Sequence, residues 1–546
     1  MPHSFLRRRA AFILLACAAT LPALTVAARA APPEDAPNAA YRDPARDERL
    51  QPKSHETTGS VQIGGQKVDY RAVAGLLVVD DSKDEASATM SYVAYFKRGT
   101  SPGAAPRPVT FLYNGGPGSA SLWLHLGAFG PLRVLTANGQ RGPAAPYKMV
   151  DNEFSLLDVT DLVFIDAPGT GLGRIVAVDR DHDKEREKLK EKEKEFYGVD
   201  QDAGAFARFI KQFLTQHSLW TARKYLFGES YGTTRTAVLA AMLQSNEDID
   251  LNGVMLLSQV LNFDLSADAP QLNPGVDLPY ALALPTMAAT AWYHRRLPEF
   301  PRDSTALEPL LAQVRRFALA EYLPALAAGT ALDATTRRTL IGKLSRYIGL
   351  SEDYLDRADL RVNGGMFGQT LLADRGQVVG RLDSRYAGPA LDKLDKESSY
   401  DPQSAAISPA YVAAYNHYLR TVLKFGADQR YKPSAEVWQN WDYKHQPPGT
   451  DQAESITTNV MPDLAAVMKI NPRLKVMMHA GYYDLATPFF AAEYELDHLP
   501  LPATLRQNIE VHHYAAGHMM YDDPAALRAL HDSVAKFIRA TDNLTH

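Results

Sequence analysis

Near the front of the patterned part of the chain, apolar and polar positions alternate, or run apolar, in three stretches: Val61 to Ile63, Lys67 to Val79 and Ala88 to Phe96. Gly and Asp/Ser turns separate them, which predicts antiparallel strands along one edge of a sheet. Order is expected from Gly59, after a Pro-, Ala- and charge-rich leader over 31–57. Pro108 to Tyr113 is a short apolar run of the kind a buried strand needs. Asp200 to His217 places Ala203, Phe206, Ala207, Phe209, Ile210, Phe213 and Leu214 at helical spacing. Tyr225 to Phe227 reads as a central strand, followed by an Ala/Leu-rich helix, and Leu251 to Ser258 as the next strand. From there to about Asp451 the texture turns helical, with helices predicted over 307–323, 333–348 and 409–423 between Pro/Gly loops. Arg473 to Ala480 and Asn508 to Tyr514 return to strand. The pattern predicts an α/β protein with a mixed, mostly parallel central sheet flanked by helices. Its first part is 58–262 and its second 456–546, with an inserted, mainly helical cap over 263–455.

Composition narrows the classes. A chain of 546 residues, 46% hydrophobic and 22% charged, has the material for a large core and an added domain. Its net charge of −5 gives no electrostatic reason to expect a nucleic acid partner. Arg7-Arg8-Arg9, the apolar run Ala10 to Leu24 and Ala28-Arg29-Ala30 have the layout of a secretory signal peptide over 1–30, too short for a stable membrane span. Cleavage near Ala30 implies a periplasmic or secreted protein. Leu14-Leu15-Ala16-Cys17 offers an alternative lipoprotein site, poorly matched by its second Leu. Cys17 is the only cysteine, so a chain cleaved at Ala30 has no thiol nucleophile, disulfide or Cys-ligated metal. Asp179 to Glu195 is a dense mixed-charge run without Gly or Pro, expected to be a solvated helix laced by i,i+4 pairs.

The chemistry concentrates at strand ends. Gly228-Glu229-Ser230-Tyr231-Gly232 sits between the strand 225–227 and the following helix, the G-x-S-x-G nucleophile elbow in its required context. Asn114-Gly115-Gly116-Pro117-Gly118-Ser119 follows the strand 108–113, and a Gly-rich loop lets backbone N–H groups approach a ligand. Gly116 and Tyr231 are the candidate oxyanion donors. After the last two strands come Gly481-Tyr482-Tyr483-Asp484 and Ala515-Ala516-Gly517-His518. His518 is the candidate base for Ser230, and Asp484 the acid that orients it. His479, His512 and His513 lie inside strands, and at least one of the latter two is expected to face the packed sheet. His125 is a candidate pocket residue, and Asp166 ranks second to Asp484. His512 and His518 find no convergent acidic set, so no metal and no cofactor are expected.

These blocks, with Gly130-Pro131, Asp151-Asn152-Glu153-Phe154-Ser155 and Asp166-Ala167-Pro168-Gly169, resemble the serine carboxypeptidases. The resemblance covers most of 105–262 and 470–525, and only the general plan of an inserted cap over 263–460. It implies the α/β-hydrolase fold and removal of C-terminal residues from peptides through an acyl-enzyme on Ser230. The partner it implies is a peptide with a free C-terminus. It also implies that Asn114, Gly115 and Glu229 receive the terminal carboxylate and that Met519 lines the pocket for the leaving residue. The family's second Glu, two residues before Gly-Pro, is Ala128 here. Arg133 or His125 is the candidate replacement, as a cation facing the carboxylate. Trp438 and Trp441, within the insertion, are pocket candidates, with core packing the expected role of each. Two rival readings follow: an esterase, amidase or acyltransferase that does not select a free carboxylate, and a catalytically idle envelope-binding protein that kept the fold.

Overall fold

The computed structural model describes residues 48–83, 85–99, 105–179, 181–437, 439–454 and 456–542. The signal-peptide reading, Cys17 and Trp438 lie outside the described residues. Nine strands of one sheet run, edge to edge, Lys53–Ile63, Gln66–Asp80, Ala86–Lys97, Asp161–Ile165, Val109–Tyr113, Lys224–Glu229, Gly253–Leu257, Lys475–Gly481 and Ile509–Tyr514. Arg174–Ile175 adds a short tenth strand beside the third. The first four in this order pair antiparallel and the last six are mutually parallel. This is the α/β-hydrolase fold. The central parallel strands Val109–Tyr113, Asp161–Ile165 and Gly253–Leu257 are buried at every position. That is why they read as short apolar runs without alternation.

Order begins earlier than Gly59. Lys53 to Thr57, placed by the sequence in the leader, pair with Ala72 to Leu76 across the first hairpin. Their side chains are mostly exposed, so an edge strand of His, Glu and Thr carries no apolar signal. The charged run forms the helix His182–Glu193 with no buried residue. Its pairs are i,i+3, as in Lys194 with Glu191 at 2.7 Å, and others reach away from the helix, as in Arg49 with Glu185 at 3.2 Å.

Between the strands Gly253–Leu257 and Lys475–Gly481 lies the long insertion. Residues 267–379 gather around their own apolar cluster, built on the helices Leu278–Tyr293, Leu307–Phe317 and Ala334–Ile348. The helix Pro402–Thr421 instead packs Ile407, Tyr411, Tyr415 and Tyr418 into the apolar layer on one face of the main sheet. It begins seven residues before the predicted start, because Asp401 caps it by accepting from Ser404 N–H at 2.6 Å and Pro402 stands in its first turn. Among the described residues no helix is long and apolar enough to cross a membrane.

Candidate active site

The strand Lys224–Glu229 delivers Ser230 at φ 61°, ψ −130°, a left-handed conformation costly for a residue with a side chain. Neighbouring glycines make the turn possible. A Cβ at Gly228 would stand 2.2 Å from the Gly232 carbonyl oxygen. Ser230 N–H donates to the Leu257 carbonyl at 2.9 Å, tying the elbow to the adjacent strand. The helix Tyr231–Asn246 then buries Arg235 completely. Its Nε donates to Asp202 Oδ2 at 2.6 Å and its Nη1 to the Asn114 carbonyl at 2.8 Å. The helix behind the nucleophile therefore also fixes the Gly-rich loop in front of it. A Cβ at Gly115 would lie 2.5 Å from the backbone nitrogen of Tyr231, the space in front of one candidate oxyanion donor.

Asp484 follows the strand Lys475–Gly481 and is fully buried. Its Oδ1 accepts from Ala486 and Thr487 N–H, both at 2.9 Å, and its Oδ2 accepts the Thr487 hydroxyl at 2.7 Å. His518 Nδ1 meets Asp484 Oδ2 at 2.7 Å. That contact puts the ring proton on Nδ1 and leaves the Nε2 lone pair free to act as base. Burial disfavours the charged ring, yet the Asp484 carboxylate beside it outweighs this and raises the His518 pKa above the ordinary value. The His518 loop is gripped from both sides. Its N–H donates to the Leu382 carbonyl of the insertion at 2.7 Å, and its carbonyl accepts from the Ser258 hydroxyl at 2.7 Å.

Ser230 and His518 open onto a cavity of about 490 Å³. Asn114, Gly115, Gly116, Glu229, Tyr231 and Met519 all stand on its wall. Glu229 is 4% exposed, and burial raises its pKa to about 7 against the pull of the nearby His518. The Tyr521 hydroxyl donates to its Oε2 at 2.9 Å.

The carboxylate-site expectations for His125 and Arg133 fail here. His125 does not reach the cavity. It is wholly buried, stacked on Phe164 at 4.4 Å and bonded to the Tyr95 hydroxyl at 2.6 Å. Burial lowers its pKa to about 3, so it is neutral and no substitute for an acid. Arg133 is not on the cavity wall either; it lies near Tyr411, on the short strand Leu132–Val134. Asp166 is engaged elsewhere, accepting from Ser91 Oγ at 2.6 Å and Ser121 N–H at 2.8 Å. His512 and His513 are both half-buried, because their strand is the sheet's edge. Trp441 packs edge-on against Tyr231 at 5.3 Å and is not on the wall.

Four wall or support residues carry no clear signal in the sequence. Arg381 and Asp268, paired at 2.9 Å, and Leu382 come from the insertion, and Tyr521 supports Glu229 from behind. Thr487 was within reach, since Asp with Thr three residues on is a turn that bonds its own backbone.

Fold and site together define a serine hydrolase of the α/β-hydrolase fold. Residues 64–269 match the family model Peptidase_S10, described as serine carboxypeptidase, so the resemblance drawn from the motifs holds over that stretch. Among solved structures, a proline iminopeptidase of Mycobacterium smegmatis is 14% identical, with 89% of this chain and 99% of that one covered at a TM-score of 0.32. A thermostable carboxyl esterase of Bacillus coagulans is 10% identical, with 86% and 98% covered and a TM-score of 0.33. Likenesses this distant say nothing of substrate. No curated protein matches the sequence.

Proposed function

We propose that the protein is a serine carboxypeptidase. His518 Nε2 takes the Ser230 proton as Oγ attacks the carbonyl of the last peptide bond, and the N–H groups of Gly116 and Tyr231 receive the developing oxyanion. The imidazolium, stabilised by Asp484, returns the proton to the leaving amine. Water then repeats the sequence on the acyl-enzyme and frees Ser230. The observation that carries this reading is Glu229, a buried carboxyl on the cavity wall directly before the nucleophile, with its pKa raised to about 7. Below that pH it is neutral and donates a hydrogen bond to a substrate carboxylate; above it, it repels one. Asn114, on the same wall, supplies a second polar group.

One observation favours a second reading, a serine esterase or amidase. Ala128 is fully buried in the apolar layer, so that position brings no second carboxyl. The test is product analysis by mass spectrometry on a small peptide. Loss of single residues from the C-terminus, abolished in Ser230→Ala and accompanied by phosphonate labelling of Ser230, is the expected result. Internal cleavage, or hydrolysis of esters alone, contradicts it.

A further inference from the structure

Glu229 is held from behind as well as lining the cavity. Tyr521 sits three residues after His518, 3% exposed, and its hydroxyl donates to Glu229 Oε2 at 2.9 Å. The ring is wedged in place, since a Cβ at Gly127 would stand 2.5 Å from it. Asn114 has its Oδ1 occupied by Leu124 N–H at 3.1 Å, which turns its NH2 end toward the Glu229 and Tyr521 pair. The polarity of this network is therefore fixed: the Asn114 NH2 gives to Tyr521 and to Glu229, and Tyr521 gives to Oε2.

A carboxyl oxygen already receiving an O–H donor is a poor place for a second proton. We propose that Tyr521 is a positioning residue for a substrate-carboxylate site, holding Glu229 Oε2 so that the proton Glu229 carries sits on Oε1 and is available to a bound carboxylate. This rests on the carboxypeptidase reading and adds to it the residue that sets the pH range of carboxylate binding. The titratable groups facing Glu229 are Tyr521 and Tyr411, both neutral because burial holds their hydroxyls well above the ordinary range, and His518 with Asp484 behind it. Of these, Tyr521 alone donates a hydrogen bond to the carboxylate among the described contacts.

The experiment compares wild type with Tyr521→Phe on a peptide acid, its amide and a simple ester between pH 5 and 9. Losing a donor to the ionised form raises the Glu229 pKa further. The alkaline limb of 1/KM for the acid should move up by about one pH unit. Below the limb, KM for the acid should rise about fivefold while the plateau kcat on the ester stays unchanged. In a Glu229→Ala background, Tyr521→Phe should have no further effect on KM. If Tyr521→Phe does not fold, 3-fluorotyrosine at position 521, a stronger donor, should move the limb down instead. A limb and KM that stay put in either variant, or an equal effect of Tyr521→Phe with and without Glu229, overturns the proposal. A wild type indifferent to acid against amide overturns the carboxypeptidase reading and the carboxylate site with it, leaving only the hold of Tyr521 on Glu229 to be tested. Glu229 then still registers in the ester profile through its field on His518, and Tyr521→Phe must shift that limb.

Discussion

The first half of the sheet and the insertion hold their parts of the cavity by different means. Around Ser230 the geometry is set by main chain: a strained turn, glycines that admit close approach, and the Leu257 carbonyl. Its buried ion pair is Arg235 with Asp202. The insertion is pinned largely by charged side chains. His445 bridges Asp200 at 2.6 Å and Asp463 at 2.8 Å, and Arg385 bridges Asp383 at 2.7 Å and Asp523 at 2.9 Å. The lesson is that the turn around Ser230 is held by bonds that do not titrate, so pH acts there through Glu229 and His518, whereas it acts on the attachment of the insertion through His445.

The comparison can be broken most forcefully at the nucleophile. Ser230→Ala should lower kcat by about 10⁴-fold or more without lowering the unfolding midpoint, because only the reacting oxygen is lost. A destabilised Ser230→Ala would mean that the turn depends on the side chain. Next comes Arg235→Met, which strands the Asp202 carboxylate in the core and should cost about 3 to 5 kcal/mol in denaturant unfolding. A near-neutral result would show that the ion pair is not what anchors the Gly-rich loop.

His445 sharpens the contrast. Its two carboxylates raise its pKa from 6.5 to about 9 against the cost of burial. A raised histidine contributes stability that is fully present below pH 6.5 and is lost as pH rises through 9. Stability should therefore fall by about 3 kcal/mol over that window in wild type. His445→Gln should be less stable at pH 6 and nearly flat across the same range. Parallel curves for the two proteins would remove His445 as the pH-dependent tether. The smallest effect is expected at Asp268, whose pair with Arg381 on the cavity wall is about half exposed. Asp268→Asn should change KM by no more than about fivefold and leave stability unchanged, as solvent-screened pairs contribute about 0 to 1 kcal/mol.

What the sequence made legible follows the same divide. Ser230, Asp484, His518 and the Gly-rich loop were visible because their arrangement demands particular residues at a strand end, whatever surrounds them. The helix Leu278–Tyr293 gave no periodic signal because thirteen of its sixteen positions are buried, leaving no polar face to read. The pattern starts a helix at Pro409, yet that residue lies inside a helix begun at Pro402. The place of His125 after the Gly-rich loop points to a pocket residue, but Phe164 and Tyr95 enclose it from strands distant in sequence. Tyr521 had no motif at all; only the folded sheet brings it to Glu229.

The measurement closest to the central claim is the ratio of kcat/KM for a peptide acid to that for its C-terminal amide, taken from pH 5 to 9. With Glu229 neutral below about pH 7, the acid should be preferred by at least about tenfold at pH 5.5. That preference should fade as pH rises through 7. A ratio near one at every pH, or a preference for the amide, contradicts the assignment of Glu229 as the group that reads the substrate's carboxylate.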